Sequence, residues 1–355
     1  MRIEDIDSNF KLPTLDEPDI EWISARDPRF SLYGVFFDEQ EGRYIRLPSE
    51  VAKSVSDGVA NLYRHTSGGR LRFRTDSPYV AVKAVVPSHS IMRHMPPLGT
   101  TGFTFYSNGV FHSSVMPDQN RMTTTTDPRS GIQGIVKFSS TESRELELYF
   151  PLYNGVFELF IGVKQGSGIE PCPYADSRRV VFYGSSITQG GCASRPGNDY
   201  AAMACRRLGV DYVNMGFSGN AKGEPLMAEY LADMHADVYV IDYDHNAPSS
   251  EHLEATHYPL YRAVREKNPD APMIFMSRPN FTGTCDNIRR RSIIRATYER
   301  ARAEGDELVY FIDGETLFEG DERDACTVDG CHPNDLGFYR MARAVVPVLR
   351  DVLTK

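Results

Sequence analysis

The sequence predicts an α/β protein built on a five-stranded parallel sheet and preceded by an all-β sandwich. Two observations carry that prediction. The hydrophobic period changes near residue 170, from short alternating runs split by turn residues to apolar runs followed by amphipathic segments of helical length. The 355 residues also exceed the roughly 250 to 300 at which a single core stops growing. Two domains are therefore expected, at 1–170 and 171–355.

Bulk properties narrow the function classes. A hydrophobic fraction of 41% and a charged fraction of 25% are those of a globular chain with cores to fill. The net charge of -9 argues against a nucleic-acid partner, because phosphate backbones are held by clustered Lys and Arg. One basic run, Arg289 to Arg291, falls in a helix-periodic segment and is expected to be a solvated face. The acidic start MRIEDIDSNF lacks the features of a signal peptide, and no run of about eighteen apolar residues occurs, so a cytoplasmic protein without a membrane partner is expected. Six cysteines are too sparse for a disulfide scaffold and are expected to be reduced. Cys326 and Cys331 stand beside His332 without the paired CxxC or HxxxH ligands of a zinc site, so no metal is expected there.

In the first half, RLRFRTDS (70–77) and YVAVKAVV (79–86) alternate and read as neighbouring strands with one face buried. GFTFYSNGVFHSSV (102–115) places Asn108 and Gly109 between aromatic runs, the signal of a tight hairpin. Strands continue through GIVKFSS and ELELYFPLYNGVFELFIGV, with one helix expected near Ser49 to Val59. Trp22 and Tyr106 are candidates for a sugar-stacking surface.

After the turn-rich linker at 166–179, five apolar runs each lead to a helical segment: RVVFYG, DYVNMGF, DVYVIDYD, PMIFMSRP and ELVYFID. Such units make a parallel sheet with helices on both faces, and function collects on the loops leaving the carboxyl ends of the strands. Those loops carry Ser185 and Ser186; Ser218, Gly219 and Asn220; Asp244, His245 and Asn246; Arg278, Pro279 and Asn280; and finally DGCHPND, Asp329 to Asp335. A hydroxyl, a backbone-exposing glycine, an amide and an Asp/His pair three apart are what acyl transfer requires: a nucleophile, a base oriented by a carboxylate, and donors for an oxyanion.

GSSIT, NMGFSG, HN and DGCHPN, in that order after successive strands, resemble the four sequence blocks of the SGNH hydrolases, also called GDSL esterases. The resemblance covers Val180 to Lys355 and, with the β-rich first half, points to the subgroup in which a β-sandwich of jelly-roll-like build precedes the hydrolase domain. It implies a flavodoxin-like three-layer fold, with Ser186 as nucleophile, His332 as base and Asp329 as its orienting partner. The implied oxyanion donors are the N–H groups of Ser186 and Gly219 and the side-chain amide of Asn246. Ser185 replaces the Asp of the family's name motif, and Asp244-His245-Asn246-Ala247 departs from the usual Gly-x-Asn-Asp block.

The expected activity is hydrolysis of a short-chain acyl ester, acetyl first, on a small-molecule or carbohydrate substrate, with neither metal nor cofactor. Acyl transfer through the same residues and a carbohydrate-binding protein with a dead site are the alternatives. A metal centre of Asp242, Asp244, His245 and His332 is a further one. Arg195 and Arg278 are candidate substrate-binding residues, with Arg195 serving equally as a tie between its loop and the β domain.

Overall fold

The computed structural model describes Ile6 and residues 15–87, 92–117, 129–279 and 283–354. The first half packs two antiparallel sheets. One holds β1 (Ile20–Ser24), β11 (Glu158–Lys164), β6 (Tyr79–Pro87) and β9 (Arg129–Lys137), in that order. The other runs β12 (Ile169–Pro171), β5 (Arg70–Thr75), β10 (Arg144–Tyr149), β7 (Phe103–Ser107) and β8 (Val110–Val115), with β2 (Ser31–Tyr33) also on β5. A small hairpin, β3 (Phe36–Asp38) and β4 (Arg43–Ile45), stands apart.

Alternation decides which residues meet. Ile23, Val80, Val82 and Ile161 from one sheet bury against Leu71, Phe73, Phe105 and Leu148 from the other. The predicted hairpin forms with Ser107 opposite Val110, and Asn108 and Gly109 both take positive φ, 49° and 77°, as a two-residue type I′ turn requires.

Three expectations are corrected. The single helix at Ser49 to Val59 is two, α1 (Ser49–Val55) and α2 (Asp57–Leu62), because Ser56 is extended and its hydroxyl caps the second by accepting the Val59 N–H. A short helix that the alternating pattern hid, α3 (Pro97–Thr101), has Pro at its first turn. Trp22 and Tyr106 belong to different sheets, and Tyr106 is 4% exposed on the outer face of its sheet, so they form no common stacking surface.

The second half is a parallel sheet ordered β14 (Val210–Gly216), β13 (Asp176–Gly184), β15 (Val238–Asp242), β16 (Met273–Met276), β17 (Val309–Ile312). Successive residues go to opposite faces. Val180, Phe182, Val238 and Val240 pack under α5 (Tyr200–Leu208) and α9 (Asp335–Thr354). Val181, Tyr183, Tyr239 and Ile241 pack under α6 (Pro225–Asp233), α7 (Ser250–Lys267) and α8 (Cys285–Ala303). The strand order reverses at β13, and the crevice at the carboxyl ends beside it is where such a sheet presents ligand-binding loops.

The halves meet through buried polar groups. Tyr106 and Tyr149 join the core of the second half, where the Arg206 guanidinium lies 3.9 Å from the Tyr106 ring centroid. Arg46, buried between the halves, donates to the carbonyls of Asn214 and Gly216 at 2.8 Å and of His65 and Leu62 at 2.7 and 2.9 Å. Burial lowers its pKa to about 9, and the four carbonyls supply the partners a buried guanidinium needs. Among the described residues, no helix is long and apolar enough to cross a membrane, and all six cysteines are free.

Candidate active site

The loop that carries Ser186 begins with a close approach that only glycine allows. A Cβ on Gly184 would lie 2.1 Å from Thr188 Oγ1 and 2.2 Å from the Asp242 carbonyl. Ser185 follows in extended conformation, and its hydroxyl accepts the Ile187 N–H at 3.2 Å, capping the one-turn helix α4 (Ser186–Gln189). Ser and Asp are equivalent caps. The substitution at 185 therefore keeps the capping oxygen and removes the charge.

Ser186 opens α4 and is 8% exposed. Its Oγ lies 3.0 Å from His332 Nε2, and His332 Nδ1 lies 2.7 Å from Asp329 Oδ2. With Nδ1 donating to the carboxylate, Nε2 carries the lone pair, so the Ser186 hydroxyl donates to it. Asp329 also accepts the backbone N–H groups of His332 and Cys331 at 2.7 and 2.9 Å. Burial pushes the Asp329 carboxyl upward, but these N–H groups and the His332 ring outweigh it and hold the group at about 2. An open depression of about 520 Å³, lined by Arg323, Asp324, Thr327, Val328, Asp329 and Gly330, flanks this turn and includes neither Ser186 nor His332.

Gly219 and Asn246 sit in the turns after β14 and β15, the strands on either side of β13. Gly219 is left-handed, φ 70°, in a turn closed by the Asn220 N–H on the Phe217 carbonyl. The Ala221 N–H reaches Asn246 Oδ1 at 3.4 Å, so the amide oxygen faces the Gly219 turn. The fold thus gathers the turns bearing Ser186, Gly219 and Asn246 on adjacent strand ends and joins Ser186, His332 and Asp329 by direct hydrogen bonds.

The two arginines have other neighbours. The Arg195 guanidinium stacks 4.0 Å from the Phe111 ring centroid in the sandwich and donates to Asn198 Oδ1 at 3.0 Å. The Arg278 N–H meets Asp244 Oδ2 at 3.0 Å and its Nη1 meets Asn287 Oδ1 at 3.2 Å, while Asn280 lies outside the described residues. Asp242 accepts the Tyr200 and Thr188 hydroxyls at 3.0 and 3.2 Å. Asp242 and Asp244 are thus turned to separate partners, and among the described residues the donors that cluster are His94, Cys192 and His332. Burial, reinforced by the nearby Asp244 carboxyl, raises Asp242 well above the usual carboxylate range, and burial raises Asp244 to about 6 against the opposing pull of Arg278 and Arg290.

Sequence reasoning missed four supporting residues. Gln189, fully buried, accepts the Ser218 N–H on Oε1 at 3.0 Å, and its Nε2 donates to the Leu152 carbonyl at 3.2 Å and lies 3.1 Å from His65 Nδ1. Tyr153 of the sandwich half donates its hydroxyl to the Ser186 carbonyl at 3.1 Å. Asp335, three residues after His332, accepts the Ser194 N–H and the Asn198 amide, both at 2.9 Å, and so ties the His332 segment to the chain beyond Ser186. Arg290 corrects the expected solvated face: its guanidinium donates to the carbonyls of Asp244 and Ala247 at 2.7 and 2.8 Å, clasping the Asn246 turn. A buried polar side chain three residues after Ser186 was the one local hint, at Gln189.

Residues 177–350 match the GDSL-like lipase/acylhydrolase family, and residues 20–169 match the N-terminus of Esterase_SGNH_hydro-type. A Bacteroides ovatus protein described as a GDSL-like lipase is 28% identical, with 94% of this chain and 98% of that one covered and a TM-score of 0.82. The salicylyl-acyltransferase SsfX3 of a tetracycline biosynthetic pathway is 20% identical, with coverage of 95% and 98% and a TM-score of 0.77. A family two carbohydrate esterase from Clostridium thermocellum, in complex with cellohexaose, is 16% identical, with coverage of 92% and 99% and a TM-score of 0.64. No curated protein matches the chain. With both halves matched and the fold shared along nearly its whole length, the chain belongs to the GDSL-like, SGNH-type acylhydrolases and is an acyl ester hydrolase.

Proposed function

We propose that the chain is a serine esterase that removes a short acyl group, acetyl first, from a hydroxylated substrate of carbohydrate type. Ser186 attacks the ester carbonyl while His332 Nε2 takes its proton, and Asp329 holds the ring and balances the imidazolium that forms. The N–H groups of Ser186 and Gly219 and the Asn246 amide receive the oxyanion. His332 returns the proton to the leaving alcohol. Water, deprotonated by the same nitrogen, then attacks the acyl-enzyme and frees the acid. Neither metal nor cofactor enters these steps.

The observation that carries this reading is the hydrogen-bond path from Ser186 Oγ through His332 to Asp329. The sugar and acetyl parts lean on fold likeness alone, to the cellohexaose-bound esterase and to an acetyl xylan esterase of Butyrivibrio proteoclasticus at 15% identity and a TM-score of 0.58. Turnover of p-nitrophenyl acetate is the test, with a loss of about 10⁴ to 10⁶ expected in Ser186→Ala. Unchanged turnover in that variant, or no labelling of Ser186 by a fluorophosphonate, would sink the assignment. Likeness to an acyltransferase favours a second reading, in which an alcohol replaces water in the last step. Acylated polyol among the products distinguishes it from hydrolysis.

A further inference from the structure

We propose that His94, Cys192 and His332 form a zinc site which, when filled, silences the Ser186 hydroxyl. One ligand atom from each lies within 4.8 Å of the others, and the rings of His94 and His332 have centroids 5.6 Å apart. Asp329 holds His332 Nδ1, so Nε2 is the nitrogen that ring offers. His94 is exposed, in the segment leading to α3, and reaches the site from the first half of the chain. Cys192 is buried and left-handed, φ 75°, a conformation that disfavours any residue with a Cβ. A side chain thus stands where the backbone selects against one, with its sulfur beside two imidazoles.

Two imidazoles and a thiolate, with no carboxylate oxygen, are a donor set for zinc rather than for magnesium or calcium. Tetrahedral zinc with bonds of about 2.0 to 2.3 Å brings its ligand atoms to roughly 3.3 to 3.7 Å from one another, a closure within reach of a rotamer change at exposed His94. On binding, the Cys192 thiol releases its proton to solvent and zinc gains three protein bonds, leaving the fourth position for water or Ser186 Oγ. Asp329 then stands behind the His332 ligand as a carboxylate commonly does behind a metal-bound imidazole. The Nε2 lone pair that would take the serine proton is occupied. The inhibitory consequence rests on the hydrolase reading; the metal site itself does not.

Zinc chloride titrated in competition with a chromogenic chelator tests the site directly. One zinc per chain is expected, weakened at least tenfold in His94→Ala and in Cys192→Ser and kept in Ser186→Ala. Hydrolysis of p-nitrophenyl acetate by the unaltered chain is expected to fall in step with occupancy and to return on adding EDTA. His94→Ala, a surface substitution, is expected to need at least tenfold more zinc for the same inhibition. Equal zinc affinity in the unaltered chain and both variants, or no binding in any, overturns the site. Hydrolysis indifferent to bound zinc overturns the silencing. Zinc bound as expected by a chain that cleaves no ester would leave the metal site standing and remove the hydrolase reading instead.

Discussion

The arm that carries Ser186 and the arm that carries Asp329 and His332 are built in opposite ways. Ser186 is 8% exposed and follows a central strand; the chain around it is held by Asp242, Tyr153, Gln189 and, on the Gln189 carbonyl, Ser67. Asp329 and His332 have side chains 38% and 25% exposed and lie on a turn whose ends meet in a single bridge, Thr327 to Pro333. Every recorded bond to the Asp329 carboxylate comes from the next three residues. The Ser186 loop is held by contacts from across the molecule; the Asp329 carboxylate is held within its own turn, and Asp335 anchors the segment beyond that turn to Ser194 and Asn198. On the proposed mechanism, this division puts long-range order at the attacking oxygen and leaves the carboxylate behind His332 to local hydrogen bonds.

Among the residues that support Ser186 and His332, the largest effect is expected on the local arm. Asp329→Asn leaves the turn its shape while removing the charge that fixes the His332 tautomer, and kcat for p-nitrophenyl acetate is expected to fall about 10⁴-fold. A fall of less than tenfold would mean that the turn, not the carboxylate, orients the ring. On the long-range arm, Gln189→Leu keeps volume and deletes the bond to the Ser218 N–H. A kcat loss of about 10² with KM little changed is expected, the scale of a displaced oxyanion donor. If KM rises instead and kcat holds, Gln189 serves substrate binding and not the Gly219 turn. A smaller effect belongs to Arg290→Met, which frees the carbonyls of Asp244 and Ala247 without touching Asn246. A loss of about tenfold in kcat is expected, short of what removing an oxyanion donor costs.

The same contrast explains what could be read from the chain. The Asn108-Gly109 turn and the strand alternation show because their causes are local, a positive φ at each turn residue and a period of two. Asp329 and His332 are three apart and pair with each other, so their geometry too is nearly written in their spacing. Gln189 and His65 are 124 residues apart, Asp335 and Ser194 are 141 apart, and Arg290 meets the Asp244 carbonyl across 46. Pairings at such range leave no periodic trace. Arg290 was misread as solvated because a helix face shows its charge in sequence but not what packs over it. The jog at Ser56 escaped for a related reason: helical periodicity runs on through a single extended residue, and only its capping bond reveals the break.

The smallest effect separates the arms by pH. The Asp329 carboxyl is held at about 2, below its ordinary value of 3.8, so the folded state favours the ionised form. A group depressed in this way contributes its stability fully above the ordinary value and loses it as pH falls through the folded one. The carboxyl's own share of the difference in unfolding stability between the unaltered chain and Asp329→Asn is therefore expected to hold down to about pH 5 and to shrink between about 4 and 2, as urea titrations at stepped pH would read. Because the group is more than a third exposed and screened, that difference is expected to be modest even on its plateau. Asp244 runs the other way: burial raises it to about 6, so its ionisation opposes folding between the ordinary Asp range and pH 6. Asp244→Asn is then expected to lose any disadvantage, or gain stability, as pH rises through that window. A difference for Asp329→Asn that fails to shrink between about pH 4 and 2 would show that the bonds of its own turn do not hold the carboxylate, and the contrast between the two arms would fail at that point.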